Sequence, residues 1–303
     1  MTPSASVIIL TKNAGSVFQK TLDQIFSQHL KPLEVLVIDS GSTDGTVDLV
    51  QRYPVRLLSI KPEEFGHGRT RNLGARLAKG EFLVFLTQDA IPTSEDWLSA
   101  LVAPFMEDER LAGVYGRQVP RGADPLETFC RRTTYPPVPY RHCARDLLTF
   151  SVFHLLFSNV NAAVRKDFWT QFPFDEQLIV SEDQAWARRV LQKGHEILYE
   201  SRAAVFHAHQ GGPIQRFKRS FDSGISFQQM AADGTLQLLP KSGSYLVQAM
   251  RYLMREGQGV WIPLLFPREM LRAGGFLMGR YGRNIPKQVK QWLSAHPQYW
   301  TKP

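Results

Sequence analysis

Short apolar runs alternate with stretches of helical periodicity through the first two thirds of the chain. The runs lack the apolar–polar alternation of a half-exposed strand, so we expect strands that are covered on both faces. Strands separated by helices predict right-handed βαβ units, an α/β fold and a mostly parallel sheet. The predicted strands are residues 6–10, 33–38, 55–60 and 82–86. The predicted helices follow Ser16 and span 46–53 and 69–79.

The middle of the chain predicts fewer regular elements. Residues 158–169 indicate a strand and a turn, and residues 174–194 indicate a loop that leads into a helix with Trp186 in its apolar stripe. A further strand runs to about His207. Residues 120–150 contain five prolines and five arginines, and they fit no regular element.

The alternation of strands and helices stops after Pro213. Residues 244–257 and 260–283 instead predict amphipathic helices in which arginines flank an apolar face. Residues 216–303 carry 13 Lys and Arg against 4 Asp and Glu, a net charge of +9, which leaves −1 of the total +8 for residues 1–215. We therefore predict a first part at 1–215 and a basic, mainly helical extension at 216–303. Such helices suit an anionic membrane surface, packing on the first part, or a homodimer contact.

Composition and charge narrow the possible classes of protein. A 303-residue chain with 43% hydrophobic residues can bury a sizeable core. Cys130 and Cys143 are too few for a disulfide framework, and the N-terminal apolar run lacks a basic segment before it, so we predict a cytoplasmic protein. Since the excess charge is confined to the last third, a nucleic-acid binder is not expected.

Polar side chains follow three of the predicted strands. Ligands of open α/β sheets bind outside the carboxyl ends of the strands, so these exits indicate a binding site. Asp39 opens a loop with two glycines and is expected to contact a ligand's base or ribose, with a turn role as the alternative. Asp44 is expected to form a turn before the next helix. The three exits are Thr11-Lys12-Asn13, the loop 39–46 and Thr87-Gln88-Asp89.

The segments SVIILTKN and LEVLVIDSGSTDGT resemble the N-terminal half of family 2 glycosyltransferases, and the likeness extends over most of residues 5–210. These are inverting enzymes of the GT-A fold that use nucleotide sugars. The resemblance implies that the strand exits and the segment HGRTRNLGA, residues 67–75, hold the donor. The residues that it assigns to the nucleotide sugar are Thr11, Asn13, Asp39, Arg71, Asn72 and Gln88. The alternative for Arg71 is a position on a solvated helix face.

The segment FLTQDAIP is similar to the metal-binding DxD motif of this family. Thr87 replaces the first Asp, and Asp89 keeps the second. One carboxylate suffices for a divalent cation when substrate phosphates and another ligand complete the site. The family's late histidine implies His207 or His209 as that ligand, with a preference for His207, and Mg²⁺ or Mn²⁺ as the ion.

The segment SEDQAWARRV resembles the family motif whose Asp is the general base. Inverting transfer needs one carboxylate to take the proton of the attacking hydroxyl, and we assign it to Asp183. Glu182 is expected to orient Asp183 or to bind the acceptor. The alternative is an inactive nucleotide-binding scaffold, which the replacement at Thr87 suggests.

Donor and acceptor are expected from resemblance at the level of a subgroup. EFGHGRTRN, FLTQDAIP and the HAH at 207–209 are similar to bacterial rhamnosyltransferases that use a dTDP-linked sugar, and UDP-linked donors are the alternative. The acceptor is expected to be a saccharide or a polyprenyl-linked saccharide of a surface polysaccharide, at the inner face of the cell membrane. Residues 120–150 would then lie over the acceptor or form a tethered loop.

Overall fold

A computed structural model describes residues 3–122, 124–149, 156–207, 211–231 and 244–301. Within these residues, nine strands form one sheet. The strands are β1 (Ala5–Thr11), β2 (Glu34–Asp39), β3 (Arg56–Ser59), β4 (Phe82–Thr87), β5 (Ile91–Pro92), β6 (Leu111–Val119), β7 (Tyr140–His142), β8 (Asn161–Arg165) and β9 (Glu196–Phe206).

Helices surround the sheet and make up most of the chain after Pro213. Single turns of 3-10 helix also occur, as at Pro62–Glu64. The α-helices of the described residues are α1 (Val17–Phe26), α2 (Thr46–Val50), α3 (His67–Leu77), α4 (Trp97–Val102), α5 (Pro104–Glu107), α6 (Pro125–Thr134), α7 (Lys166–Gln171), α8 (Glu182–Gln192), α9 (Pro213–Met230), α10 (Ser244–Arg255), α11 (Ile262–Tyr281) and α12 (Lys287–Leu293).

The sheet is mixed, with the strand order β3-β2-β1-β4-β8-β6-β9-β5 and with β7 paired to β9. Strands β1 to β4 are parallel, as predicted. Strand β8 runs antiparallel to both β4 and β6, while β6 and β9 pair in parallel, so the sheet contains parallel pairs in both halves and is mixed overall. An apolar run reports burial on both faces and carries no information on strand direction.

Two hydrophobic cores lie on opposite faces of the sheet. Successive residues of β1 alternate between them, with Ile8 in one core and Val7 and Ile9 in the other. Strand β4 alternates in the same way. The prediction that the apolar runs are covered on both faces is therefore confirmed for β1 and β4, whereas β3, at the edge of the sheet, has no buried residue.

The expectation of irregular structure over residues 120–150 is wrong for helix α6. Asp124 accepts hydrogen bonds from the backbone N–H groups of Leu126 and Glu127 at 2.9 and 3.0 Å. Pro125 occupies the first helical position, where its missing N–H costs nothing and its fixed φ favours the helix. One of the prolines of this segment therefore belongs to a capped helix start.

The C-terminal helices pack on one another and on the part of the chain before Pro213. Leu126 and Phe129 of α6 share a core cluster with Leu253 of α10 and Leu265 of α11. A second cluster joins Leu293 of α12 to residues of α9 and of the loop before α8. Packing on the first part, one of the three alternatives, is thus observed, while the boundary at 215 and 216 stays a prediction. None of the described helices combines the length and the apolar character that a membrane span needs.

Helices α9 and α11 approach each other at glycines. A Cβ on Gly279 would lie 2.1 Å from the carbonyl oxygen of Phe221, and one on Gly275 would lie 2.5 Å from that of Phe217. These are contacts with backbone atoms, which cannot be relieved by a side-chain rotation. The close helix contact therefore depends on the absence of side chains at both positions.

We expect Gly279→Ala to lower the free energy of unfolding by about 1–3 kcal/mol, because the added methyl group forces α9 and α11 apart. Gly274→Ala is the matched control on the same helix, since its Cβ would have no atom within 4 Å. That control should raise stability by about 0.4–1 kcal/mol through the usual Gly→Ala effect. Urea denaturation of both variants measures the difference, and equal effects would contradict the proposed close packing.

Candidate active site

The loops that follow β1 and β2 are joined by hydrogen bonds. Thr11 donates its hydroxyl to Asp39 at 3.1 Å, and the amide oxygen of Asn13 accepts from the backbone N–H of Thr43 at 2.8 Å. The backbone N–H of Asn13 in turn donates to the Ser42 hydroxyl at 2.8 Å. Asn13 has a φ of 47°, in the left-handed region that Asn tolerates better than most residues. The two loops thus form one surface at the sheet edge.

Asp39 and Asp44 both shape this loop. Asp39 accepts hydrogen bonds from the backbone N–H groups of Gly41 and Ser42 at 3.0 and 2.9 Å, so its turn role is observed. Contact of Asp39 with a ligand stays a prediction. Asp44 accepts from the backbone N–H of Thr46 at 3.1 Å, which confirms the turn expected before α2.

The exit of β4 lies beside the exit of β1. The side-chain amide of Gln88 bridges both backbone groups of Lys12, accepting from its N–H at 2.9 Å and donating to its carbonyl oxygen at 3.3 Å. The Thr87 hydroxyl is buried and has no hydrogen-bond partner among the described residues. An unsatisfied buried oxygen at this position leaves one polar group available next to Asp89.

Asp89 faces His207, which follows strand β9. The Nε2 atom of His207 lies 3.6 Å from Oδ2 of Asp89, and its Nδ1 lies 2.9 Å from Oε1 of Gln118. Arg131 donates to the same Gln118 oxygen. A guanidinium can only donate, so this oxygen is the acceptor and His207 carries its proton on Nδ1. Nε2 is therefore the nitrogen that is directed towards Asp89.

The pair fits a divalent cation. Burial is the largest effect on His207 and lowers its pKa to about 4, although the charge of Asp89 acts in the opposite direction. The imidazole is therefore neutral near pH 7. Neutral imidazole and carboxylate are suitable ligands for Mn²⁺ and, less well, for Mg²⁺. The described residues contain no cluster of three or more His, Cys, Asp or Glu, so phosphate and water oxygens would have to complete the coordination. His209 lies outside the described residues.

Glu182 and Asp183 begin helix α8 and are held by residues from two other segments. Arg71 of α3 forms a 2.6 Å ion pair with Glu182, with side-chain exposures of 9% and 4%. The side-chain amide of Asn159 donates to Glu182 at 3.2 Å, and its backbone N–H donates to Asp183 at 3.1 Å. Ser181, just before the helix, has a φ of 63°. The acid pair is therefore fixed from both sides.

Asp183 has the protonation behaviour of a base that works near neutral pH. Burial raises the pKa of Asp183 to about 7, and the negative charge of Glu182 acts in the same direction. The backbone N–H groups of Asn159 and Gln184 and the charge of Arg71 oppose this shift without cancelling it. A carboxylate with such a pKa takes a proton more readily than an ordinary Asp does.

Comparison with known families identifies the chain. The model of the family described as Glycosyl transferase family 2 matches residues 6–162, just over half of the chain. The chain belongs to this family. The predicted resemblance is thereby confirmed, and the protein is a glycosyltransferase.

Relatives extend the likeness over the whole chain. The O-antigen chain rhamnosyltransferase RfbN of Salmonella typhimurium is 30% identical over 97% of this chain and 95% of its own length. The O-antigen chain rhamnosyltransferase WbaN of Salmonella anatum is 30% identical, with coverage of 98% and 96%. The likeness to both therefore includes the C-terminal helices that lie beyond the family match.

Solved structures confirm the GT-A fold. The mannosyltransferase PcManGT from Pyrobaculum calidifontis, in complex with GDP-Man and Mn²⁺, superposes with a TM-score of 0.57 at 18% identity, over 99% of this chain and 86% of its own. Glucosyl-3-phosphoglycerate synthase from Mycobacterium tuberculosis, in complex with Mn²⁺, UDP and glucosyl-3-phosphoglycerate, gives 0.54 at 19% identity over 80% and 82%. At these identities, the likeness concerns the fold.

Arg71 and Asn72, which are both expected at the nucleotide sugar, form hydrogen bonds within the protein, and donor contact of Arg71 stays a prediction. Arg71 is buried against Glu182, so the alternative of a solvated helix face is wrong for it. The amide of Asn72 donates to Phe174 and Glu176 and accepts from Trp169 and Phe174. Since these bonds use its whole hydrogen-bonding capacity, we do not retain Asn72 as a donor contact.

Asn159 and Gln118 are functional candidates that the sequence analysis missed. Both are almost fully buried, and each contacts a predicted site residue that lies far away in sequence. The sequence pattern indicates them only weakly: Gln118 lies near the end of the apolar strand β6, and Asn159 precedes β8. Neither position contains a motif.

We expect Asp183→Asn to lower kcat by roughly 10²- to 10⁴-fold, the usual contribution of a general base, while binding of the nucleotide donor stays unchanged. Asn keeps the shape and one of the two backbone contacts but cannot accept the proton. Initial rates of transfer and calorimetric titration with the nucleotide measure the two effects. The control is Gln192→Glu, at the far end of α8, which keeps the helix and should leave kcat unchanged. Gln184 cannot serve as the control position because it packs beside the base.

The pH dependence provides a second test of this assignment. Transfer by the wild-type enzyme should fall as pH drops through about 7, as Asp183 becomes protonated. The raised pKa also means that the folded state binds this proton more tightly than the unfolded chain, so stability is lost as pH rises from about 4 to 7. Asp183→Asn should therefore gain thermal stability over wild type at pH 8 and much less at pH 5. A gain that does not vary with pH would contradict the shifted pKa.

Proposed function

We propose that this glycosyltransferase moves L-rhamnose from dTDP-rhamnose, with inversion, to a saccharide or lipid-linked acceptor during synthesis of a bacterial surface polysaccharide. The observation that supports it most is the 30% identity to two O-antigen chain rhamnosyltransferases over nearly the full length of each. A UDP-linked sugar is the second candidate donor. It rests on the synthase solved with UDP, which shares the fold at 19% identity.

Asp183 is the proposed general base. It takes the proton of the acceptor hydroxyl while that oxygen forms a bond to the anomeric carbon, from the face opposite the diphosphate. The bond between the sugar and the diphosphate breaks with its electron pair on the diphosphate oxygen, which inverts the anomeric centre. The pKa of Asp183, about 7, supports its role as the base.

Glu182 is the proposed orienting group. Its carboxylate accepts from Arg71 and Asn159, and Asn159 also holds Asp183 through its backbone N–H. The charge of Glu182 helps to raise the pKa of Asp183. These contacts therefore place the base, while the charge of Glu182 increases its affinity for the proton against the opposing effects of Arg71 and Asn159.

Asp89 and His207 are the proposed ligands of a divalent cation, Mn²⁺ or Mg²⁺. When bound, the ion would neutralise charge on the leaving diphosphate. Gln118 keeps Nε2 of His207 directed towards Asp89, and Thr11, Asn13, Asp39 and Gln88 form the adjoining edge proposed for the nucleotide. The inactive scaffold is disfavoured, because a protein that only binds nucleotide has no need of an acid such as Asp183 with a raised pKa.

The exposed side of α11 supports contact with an anionic membrane at the inner face of the cell. Apolar side chains on this side include Met270, Leu277 and Tyr281, at 72%, 51% and 71% exposure. Residues 216–303 as a whole carry a net charge of +9. Amphipathic basic surfaces of this kind bind at lipid headgroups. A homodimer contact through the same side is the alternative.

Release of nucleotide with and without metal tests the donor and the site together. We expect turnover with dTDP-rhamnose and Mn²⁺ or Mg²⁺, and loss of at least about tenfold in Asp89→Asn. The control is Asp96→Asn, since Asp96 is exposed and lies outside the site. A change at Gln88 is unsuitable because it would disturb the hydrogen bonds to Lys12. Turnover that persists in a chelator would exclude the metal role of Asp89, and activity only with UDP-sugars would favour the second donor.

Vesicle co-sedimentation tests the membrane contact. Full-length protein should bind phosphatidylglycerol vesicles and release at high salt, and Met270→Glu with Leu277→Glu should abolish binding. Met106→Glu, at a 56% exposed position on α5, is the matched control. A wild-type chain that ignores the vesicles but sediments as a dimer would favour the homodimer.

A further inference from the structure

Two adjacent cavities lie between α6 and the C-terminal helices, each of about 300 Å³. The first, called here the arginine cavity, is lined by residues of α6, α9, α10 and α11. The second, the apolar cavity, lies between the start of α9 and α11. Leu126, Arg216 and Arg268 line both, so the two cavities share a wall.

The arginine cavity has an excess of positive charge. Its lining includes Glu127 and Glu269 against five arginines, a net charge of +3, and Asp124 at its border reduces this to +2. Positive charge concentrated in a partly buried space favours an anion. The five arginines are Arg131, Arg216, Arg219, Arg268 and Arg272.

Two of these arginines are wholly or half buried. Arg131 is 6% exposed and forms a 2.9 Å ion pair with Glu127, and its NH2 group has no hydrogen-bond partner among the described residues. Burial lowers the pKa of Arg219, and the neighbouring charge of Arg216 lowers it further. Burying a guanidinium group costs free energy, and an anion in the cavity would offset part of that cost through its charge.

The apolar cavity offers a different surface. Its lining includes the apolar side chains of Trp261, Leu264, Pro267 and Leu271, and it shares Arg216 and Arg268 with the arginine cavity. Leu264 is 54% exposed, so the lining reaches the outer surface of α11. An apolar space that continues into a cationic one matches an amphiphile with an anionic head.

The arginine cavity adjoins the proposed site of transfer. Arg131, in its wall, donates to the Gln118 oxygen that also holds His207. Tyr135, in the same wall, accepts from the Gln118 amide at 2.5 Å. An anion bound beside Arg131 would thus be linked to His207 of the metal pair through Gln118, on the side of the C-terminal helices.

We propose that the two cavities form one binding site for a prenyl diphosphate group, with the diphosphate in the arginine cavity and the first isoprene units in the apolar cavity. The proposal rests on the proposed function, in which a saccharide on such a carrier is the acceptor. The carrier would anchor the acceptor near Asp183, and the donor's own diphosphate would stay at Asp89 and His207.

Binding of a short soluble analogue tests the site without requiring turnover. Calorimetry on the full-length protein would compare farnesyl diphosphate, pyrophosphate and farnesol, with and without saturating dTDP and Mn²⁺. Farnesyl diphosphate should bind more tightly than either fragment, and dTDP should not displace it. Displacement by dTDP would put the diphosphate in the donor site, and equal binding of pyrophosphate would remove the apolar half; either result overturns the proposal.

Variants at the two cavities sharpen the test. Arg272→Gln should weaken farnesyl diphosphate binding by roughly tenfold and Leu264→Gln by roughly fivefold, with dTDP affinity unchanged. Arg255→Gln and Met270→Gln are matched controls, since these exposed residues line neither cavity. Wild-type affinity in both cavity variants would refute the site. Because the measurement is binding, it keeps its meaning even if no rhamnose transfer is found.

Discussion

The buried ion pair between Arg71 and Glu182 is the contact on which the arrangement of the site depends. Removing two charges from water costs several kcal/mol per ion, and such a pair persists only where further hydrogen bonds complete it. Asn159 supplies one to the same carboxylate. Because Arg71 belongs to α3 and Glu182 opens α8, the pair joins the helix beside the parallel strands to the helix that carries the base.

Stability and reactivity are coupled at this point. The charge that Arg71 stabilises on Glu182 also disfavours a second charge on Asp183, so protonation of the base is linked to the integrity of the pair. Breaking the pair by removing Arg71 would leave Glu182 as an uncompensated buried charge. The site therefore tolerates little change in either partner, although Arg71 itself need not touch a substrate.

Local sequence patterns predicted the N-terminal strands well and singled out the candidate acids, because burial on both faces and motif spacing are both properties of short segments. Asp89 and Asp183 belong to such segments. Gln118 contacts His207 across 89 residues and Asn159 contacts Glu182 across 23, and contacts of this kind exist only once the sheet has formed. The direction of β8 and the helix after Asp124 were missed for related reasons: an apolar run has no polarity, and a proline can begin a helix as well as end one.

The glycines between α9 and α11 have a consequence for geometry beyond their packing. Because the two backbones are in contact, α11 cannot rotate or slide against α9 without a collision, so its orientation on α9 is fixed. The side that bears the cavities and the side that bears Met270 and Leu277 are therefore separated by one helix diameter, roughly 10 Å. If the outer side rests on a bilayer, the diameter of α11 sets the distance between the lipid surface and the cavities, and therefore the height above the lipid at which sugars are joined.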